Sequence, residues 1–507
     1  MKIHPRHVSQ RWVLAVMGML GMTMAYMMRA CLGITLTQMV KPVLTGSGLQ
    51  INISSEKSEQ NYCPMPDDFG MSNRTAAVVA VDSSERFDWD EKTQGMVLSA
   101  FFYGYIITHL PFGILVQNIG GKFIMGFGLL FSAIFTLMTP TVARMGSTPL
   151  IIVRFIEGLG EGAVFPSMFM LLARWAPPEE KGMLSTLVFA GITVGNIFGN
   201  LLSGFIIHYV PGGWPNVFYF FGSITIVWFV FWCMLVYNDP KSHPLISDAE
   251  LEYLQNSIGS LERKKDLPDT PWKSILTSGP LWAAIISGIG ADWGGYTIGS
   301  DLPKYMNDVL HFSVTENGVL SSILYLVQWT MMVLSGILAD LLVSKRVMGI
   351  TAVRKTYAII GTFGPGLGVV CASFIGCNKM MAILCFTVSM ALWGFCVSSI
   401  CINPLDLSPN YASTLIALAN SIGCLSGMAS PYITGLLVPN RTLLEWRLVF
   451  WTMLIIMTST SVIYVLFGSG EVQTWNDPAE NDCPRIKENS KSGELSVEHM
   501  DVNNIVD

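Results

Sequence analysis

RFIEGLGEGAVFPS, residues 154–167, puts one arginine and two glutamates into a run, 149–174, that otherwise has the composition of a lipid-soluble helix. At about 100° of rotation per residue, Glu157 falls about 60° behind Arg154, and Glu161 only about 20° behind it. The three share one narrow face. A charge at mid-bilayer costs about 2.5–3.5 kcal/mol even on the lenient insertion scale, so that face turns away from lipid, toward partners or a wet cavity. The stretch reads as one inner wall of a helix bundle in a membrane.

The rest of the chain agrees. Of 507 residues, 51% are hydrophobic and 13% charged, and the mean hydropathy is +0.48; a soluble domain carries about 25% charged residues. Apolar runs long enough to cross a bilayer recur along the sequence. Their spacing predicts twelve spans, at 12–37, 93–117, 122–142, 149–174, 183–209, 216–237, 281–300, 317–343, 353–375, 380–403, 413–437 and 447–467. The basic N-terminus, 1–11, runs into a span too long for a cleavable signal and reads as a retained signal anchor. Three longer polar segments remain: a loop at 41–92, a linker at 238–280 and a tail at 468–507 with no core of its own. In the linker, Ser247 to Glu250 reads as a capping box opening a short helix, taken as part of a tether between two halves.

Lysine and arginine set the orientation. Lys2, Arg6, Arg11, Lys122, Arg174, Lys181, Lys345 and Arg346 fall on one side with both termini and the linker; the short loops opposite hold Arg144, Lys304, Lys379, Arg441 and Arg447. The first side is assigned to the cytoplasm. Three N-x-S/T sequons, Asn52, Asn73 and Asn440, fall on the other side, where glycosylation occurs. Cys63 and Cys377 share that side and are candidates for a disulfide, although spacing cannot establish pairing. Most of the other cysteines sit in apolar segments as small packing residues.

Three patterns recur at half length. GILVQNIGGK (113–122) is echoed by GILADLLVSK (336–345), Gly195 and Gly199 by Gly423 and Gly427, and W-x-x-V-F at 214–218 by the same motif at 446–450. Each links span n to span n+6. The expected fold is therefore an all-α membrane protein of twelve helices in two six-helix pseudo-repeats, 12–237 and 281–467. Secondary transporters use such repeats for alternating access. Gly191, Gly195 and Gly199 form a GxxxGxxxG face for close helix approach, static or moving.

Two readings stand for span four. One is a structural Arg154–Glu157 pair, with Glu161 bonded to backbone or water. The other is a proton-sensitive site: burial favours neutral Glu161 and a nearby arginine its anion, so a change of exposure can change protonation. Arg154 stays a cation. Arg29, in YMMRACLGIT, lies about 7 Å outward of the middle of span one, and Arg154 roughly 10 Å outward of the middle of its own. Two arginines at similar depth make an anion site; the alternative for Arg29 is snorkelling. His109, in YIITHLPFG, is either a titrating group or a packing residue. Asp292, in GADWGGYTIG with Tyr296 one turn on, sits beside a glycine pair that suggests a break and either lines a substrate site or is structural. Asp340, Lys345 and Arg346, with Lys122 in the matching first-half loop, are the expected cytoplasmic latch.

RFIEGLGEGAVFPSM followed by ARWAPPEEKG resembles the fourth-helix signature of the anion:cation symporter branch of the major facilitator superfamily. That branch includes sialin, the vesicular glutamate transporters and the type I sodium–phosphate cotransporters. FFYGYIITHLPFG, WPNVFYFFG, DLPKYMNDVL, NPLDLSPNYAS and GSGEVQTWNDP match it in order, so the likeness covers about residues 11–480. YMMRACLGIT resembles insect members described as inorganic phosphate cotransporters. The resemblance implies that Arg29 contacts substrate and that Arg154 and Glu161 are the helix-four pair associated with coupling. Ala291 and Leu98 stand where the glutamate branch has an arginine and a histidine. Phe169 replaces a histidine of sialin, and His109 a common glutamine. Gln117 and Asn118 fall where the superfamily loop has an acidic residue.

The function expected is secondary active transport of inorganic phosphate or a small organic anion with Na+ or H+. The alternative is a proton-coupled carrier of acidic sugars or amino acids; a different class is a non-transporting nutrient receptor. Expected partners are the anion and the bilayer. The net charge of -6 comes with no nucleic-acid motif. No nucleotide loop or HExxH appears, so neither an enzyme, a cofactor nor ATP is expected. A monomer suffices for this mechanism, and the absence of an acidic dileucine signal leans toward the plasma membrane.

Overall fold

The computed structural model describes residues 9–41, 86–177, 180–262 and 270–476, and among them twelve helical rods follow one another. The first half holds α1 (Gln10–Met39), α2 (Glu91–Ile119), α3 (Gly121–Met145), α4 (Ser147–Trp175), α5 (Lys181–Tyr209) and α6 (Pro215–Leu235). The second holds α7 (Gly279–Tyr296, continued to Asp308), α8 (Val314–Ser344), α9 (Ile350–Phe374), α10 (Lys379–Leu407), α11 (Ala412–Leu437) and α12 (Leu443–Phe467). All twelve expected spans are present, shifted by a few residues at their ends.

Local chemistry marks several ends. Asp90 caps α2 by accepting from the Thr93 amide at 3.0 Å, and hydrogen bonding from the Thr93 side chain, helped by that amide, holds its carboxyl below the ordinary aspartate value. Capping boxes, Ser313 with Glu316 and Thr442 with Glu445, open α8 and α12. Ten of the rods are long and apolar enough to cross a membrane by length and composition alone; α7 and α11 are not among them. Those two pack on each other, and α7 carries Asp292 and Tyr296 of the second half's inner wall.

Three rods are broken. α4 kinks at Gly162 and Ala163. α7 passes through a π-helical turn at Thr297–Asp301 and α10 through one at Val397–Cys401. The break suggested by Gly294-Gly295 is real but falls just after it. Such turns often mark functional hinges.

The glycine face of α5 lies on α1. A Cβ on Gly195 would meet the Thr23 carbonyl and the Tyr26 Cβ at 2.7 Å. Gly423 of α11 repeats the relation six spans on by abutting Asp292 of α7, whereas Gly427 meets Phe102 of α2, in the other half.

The halves join at the face away from both termini, the outer face by the charge count. Gly318 of α8 meets the Asn200 carbonyl of α5, and the Ser322 hydroxyl donates to the Ile197 carbonyl at 2.9 Å. Beside them, buried Glu91 at the start of α2 pairs with Lys304 of α7 and with Arg441 at 2.6 Å. Arg441 also approaches Asp308 at 3.9 Å.

The cytoplasmic ends differ from expectation. Asp340, Lys345 and Arg346 are exposed, and among the described residues they form no ion pair. Lys122 lies 4.1 Å from the Tyr237 ring centroid, within its own half. The expected latch is therefore not formed here: the halves meet at their outer ends, and of the cytoplasmic ion pairs Arg174–Asp239 ties the first half to the start of the linker while Arg354–Asp406 stays inside the second half.

The linker helix, Asp248–Glu262, docks on the first half. Glu250 receives the Ser9 hydroxyl at 2.6 Å and the Gln10 amide at 2.9 Å, a carboxylate at the N-terminus of α1. Ser247 still caps the helix, through the Glu250 amide at 3.2 Å. Part of the expected tail is also fastened: Asn403 donates to the Ser469 carbonyl and Ser408 to Asn476. Asn52, Asn73 and Cys63 lie outside the described residues. Asn440 is exposed, its side-chain amide held by Glu445 at 2.7 Å. Cys377 is disulfide-bonded.

Candidate functional site

A cavity of about 220 Å³ lies between the halves, and Arg29, Arg154, Asp292 and Tyr296 all line it. Helix periodicity explains why Arg154, Glu157 and Glu161 face inward together, but it does not say with whom they pair. Arg154 pairs with Glu157, one turn on in α4. Arg29 of α1 pairs with Glu161 of α4 at 3.0 Å. Arg154, Glu157 and Glu161 are each at most 3% exposed.

Each member has further support. Thr139 of α3 donates to Glu157 at 3.2 Å. The Arg29 guanidinium sits 4.5 Å from the Phe101 ring centroid, 4.7 Å from Tyr26 and 5.1 Å from Tyr105. The Arg154 guanidinium lies 5.3 Å from the same Phe101 ring centroid. Aromatic faces stabilise a cation without neutralising it. The Nε atoms of both arginines are buried and have no hydrogen-bond partner. Two donors of permanent cations are thus left unsatisfied beside a cavity, a condition an oxyanion relieves.

The second half supplies a different wall: Asp292, Tyr296, Tyr325, Gln328 and Trp393. Among the described residues the Asp292 carboxylate makes no hydrogen bond or ion pair. Trp393 reaches back to the Ala291 carbonyl at 3.3 Å.

His109 does not line the cavity. Its Nδ1 lies 3.2 Å from the Gly162 carbonyl, at the kink of α4, and its ring stacks on Tyr105. Leu98 does line it, while Phe169 packs against Phe189. Sequence reasoning missed the aromatic collar, although Tyr26, Phe101 and Tyr105 all fall in stretches that carried the family likeness. It also missed the clasp at Glu91, because DWDEK reads as the polar end of a loop.

The Major Facilitator Superfamily model matches residues 18–431. The chain belongs to the Major Facilitator Superfamily. Its relatives place it in the anion:cation symporter branch of that superfamily. Human sialin is 39% identical over 92% of this chain and 91% of its own length. A Drosophila ananassae protein named "Putative inorganic phosphate cotransporter" is 35% identical over 93% and 95%. Human vesicular glutamate transporter 2 is 30% identical over 98% and 80%. Among solved structures, a bacterial homologue of the human lysosomal transporter Spinster superposes with a TM-score of 0.65 at 13% identity, covering 90% of this chain and 96% of that one. A D-xylose–proton symporter gives 0.61 at 15%, covering 91% and 98%. These two carry the fold alone. This Major Facilitator Superfamily member is a multi-pass membrane protein whose two halves enclose an arginine-lined cavity.

Proposed function

We propose that this chain is a secondary active anion symporter that works by alternating access. The observation that carries the proposal is the pair of buried, unpartnered Nε atoms of Arg29 and Arg154 beside one inter-half cavity. Their carboxylate partners supply the coupling. With Glu161 ionised, Arg29 is answered inside the protein; a proton on Glu161 weakens that pair and leaves Arg29 to the anion. The reverse holds on release: loss of the proton restores the pair and expels the anion. The halves then rock about the site, exchanging closure at the outer clasp for closure at the cytoplasmic ends.

Inorganic phosphate is the preferred substrate, on the insect-like form of the first helix. A second reading, an acidic sugar or acidic amino acid, is favoured by the aromatic walls at Tyr26, Tyr296, Tyr325 and Trp393 and by the higher identity with sialin. The plasma membrane was expected on signal grounds; relatives named as vesicular transporters lend that no support, and surface biotinylation separates the two locations.

The test is uptake of labelled phosphate and labelled sialic acid, with sodium and proton gradients imposed separately. Uptake driven by one gradient and lost in Arg154→Ala is expected. No saturable uptake of either by surface-expressed protein overturns the symporter reading and favours a receptor.

A further inference from the structure

The first half's cavity charges balance internally, two arginines against two glutamates. Asp292, on the opposite wall, has no such answer. The ionisable groups that face it are Tyr296 on its own helix, Tyr26 of α1, Cys396 and Cys401 of α10 and Cys424 of α11; Tyr325 of α8 lines the same cavity. None of these is a cation. Counted with the arginine–glutamate pairs, the site carries one negative charge in excess before any anion arrives.

An anion entering such a site is repelled by Asp292 at short range and low dielectric. An isolated ionised carboxylate in the membrane interior is itself unfavourable. Both difficulties end when the carboxylate takes a cation. The packing makes room for the carboxyl group: Gly423 of α11 abuts its Oδ2, where any Cβ would overlap. Asp292 also stands one turn before the π-helical turn Thr297–Asp301 of α7, the part of the second half best placed to bend as the charge changes. A single carboxylate suffices to hold a proton, and among the described residues no group of three histidine, cysteine or acidic side chains stands ready to hold a metal ion.

We infer that Asp292 is a second proton-binding site of the transport cycle, on the half opposite Glu161, so that two protons accompany each anion. The inference rests on the proposed anion symport. The carboxylate gains the proton as the anion binds and returns it on the release side, so the loaded cavity carries no excess negative charge from its own wall.

The test uses purified full-length protein in liposomes, with whichever of phosphate and sialic acid the wild type carries. At zero membrane potential and a fixed gradient of one pH unit, each coupled proton multiplies the accumulation of a fixed anion species at equilibrium by about ten. Asp292→Asn is expected to lower that accumulation about tenfold relative to wild type, and Asp292→Glu to restore it. An unchanged accumulation in Asp292→Asn overturns the inference while leaving symport intact; a wild type that accumulates neither anion fails the symport reading instead. Should the Asn variant bind but not transport, protons taken up per anion bound, from calorimetry in two buffers of different ionisation enthalpy, decide. Loss of one proton supports the assignment, and no loss overturns it. Accumulation that follows sodium and ignores the pH gradient also overturns it.

Discussion

Two clusters of buried charge do different work in this molecule. In the cavity, Arg29–Glu161 and Arg154–Glu157 both lie within the first half. At the outer face, Glu91 of the first half meets Lys304 and Arg441 of the second. The first set can persist while the halves rock, so only protons and ligands disturb it. The second set spans the moving boundary and has to break whenever the outer face opens. The unsatisfied donors follow the same division: Nε of both cavity arginines lacks a partner, whereas the clasp carboxylate accepts from Lys304, Arg441 and Gln94 together.

The largest expected effect comes from unpairing the cavity. Arg29→Gln leaves Glu161 without its cation, and breaking a buried pair from one side costs about 3–5 kcal/mol. Transport should fall by more than about a hundredfold on that scale. Arg29→Gln with Glu161→Gln should recover thermal stability without recovering uptake. Recovery of uptake in the double variant would show the pair to be structural. Next, Glu91→Gln leaves Lys304 and Arg441 facing each other without their shared anion. The outer face should open more readily, and an impermeant thiol reagent added outside should label Cys424 several-fold faster, with Cys424→Ser as the control. Labelling at the wild-type rate would remove the clasp from the gating scheme.

Smaller effects test the frame that holds both clusters. A Cβ on Gly191 of α5 would strike the Met19 carbonyl of α1, and backbone cannot rotate aside as a side chain can. Gly191→Val should destabilise by about 1–3 kcal/mol, read as a lower melting temperature in detergent, with Arg29 drawn away from Glu161. The smallest effect concerns the linker. His243 is buried, its Nδ1 accepting from the Leu245 amide at 3.1 Å and its Nε2 donating to the Leu235 carbonyl. Burial lowers its pKa below the ordinary 6.5. The neutral ring therefore supports docking above about pH 6.5, and that support is lost as pH falls below it. Proteolysis at the linker should quicken at pH 5.5 in wild type, and a His243→Gln variant should show less change.

Much of this was legible in the residues because it depends on local periodicity. Apolar runs marked twelve spans, a 100° rotation put Arg154, Glu157 and Glu161 on one face, and the half-length repeat implied two matching bundles. The closed gate was not legible for an equally physical reason. Asp340, Lys345 and Arg346 lie where a cytoplasmic latch would close, but a transporter has more than one closed face, and which one is closed belongs to the conformation. Glu91 looked like loop because burial of a charge at a helix start depends on chains arriving from more than 200 residues away.

By itself the sequence determined the membrane setting, the number of helices, their two-fold repetition and the inward face of span four, since each follows from hydrophobic cost and helical geometry along one segment. The tertiary structure alone decided that Glu161 answers Arg29 and not Arg154, that Asp292 is left without a partner, and that the halves are clasped through Glu91. Those facts turn on the relative rotation and depth of different helices, set by close packing at glycines such as Gly195 and Gly423.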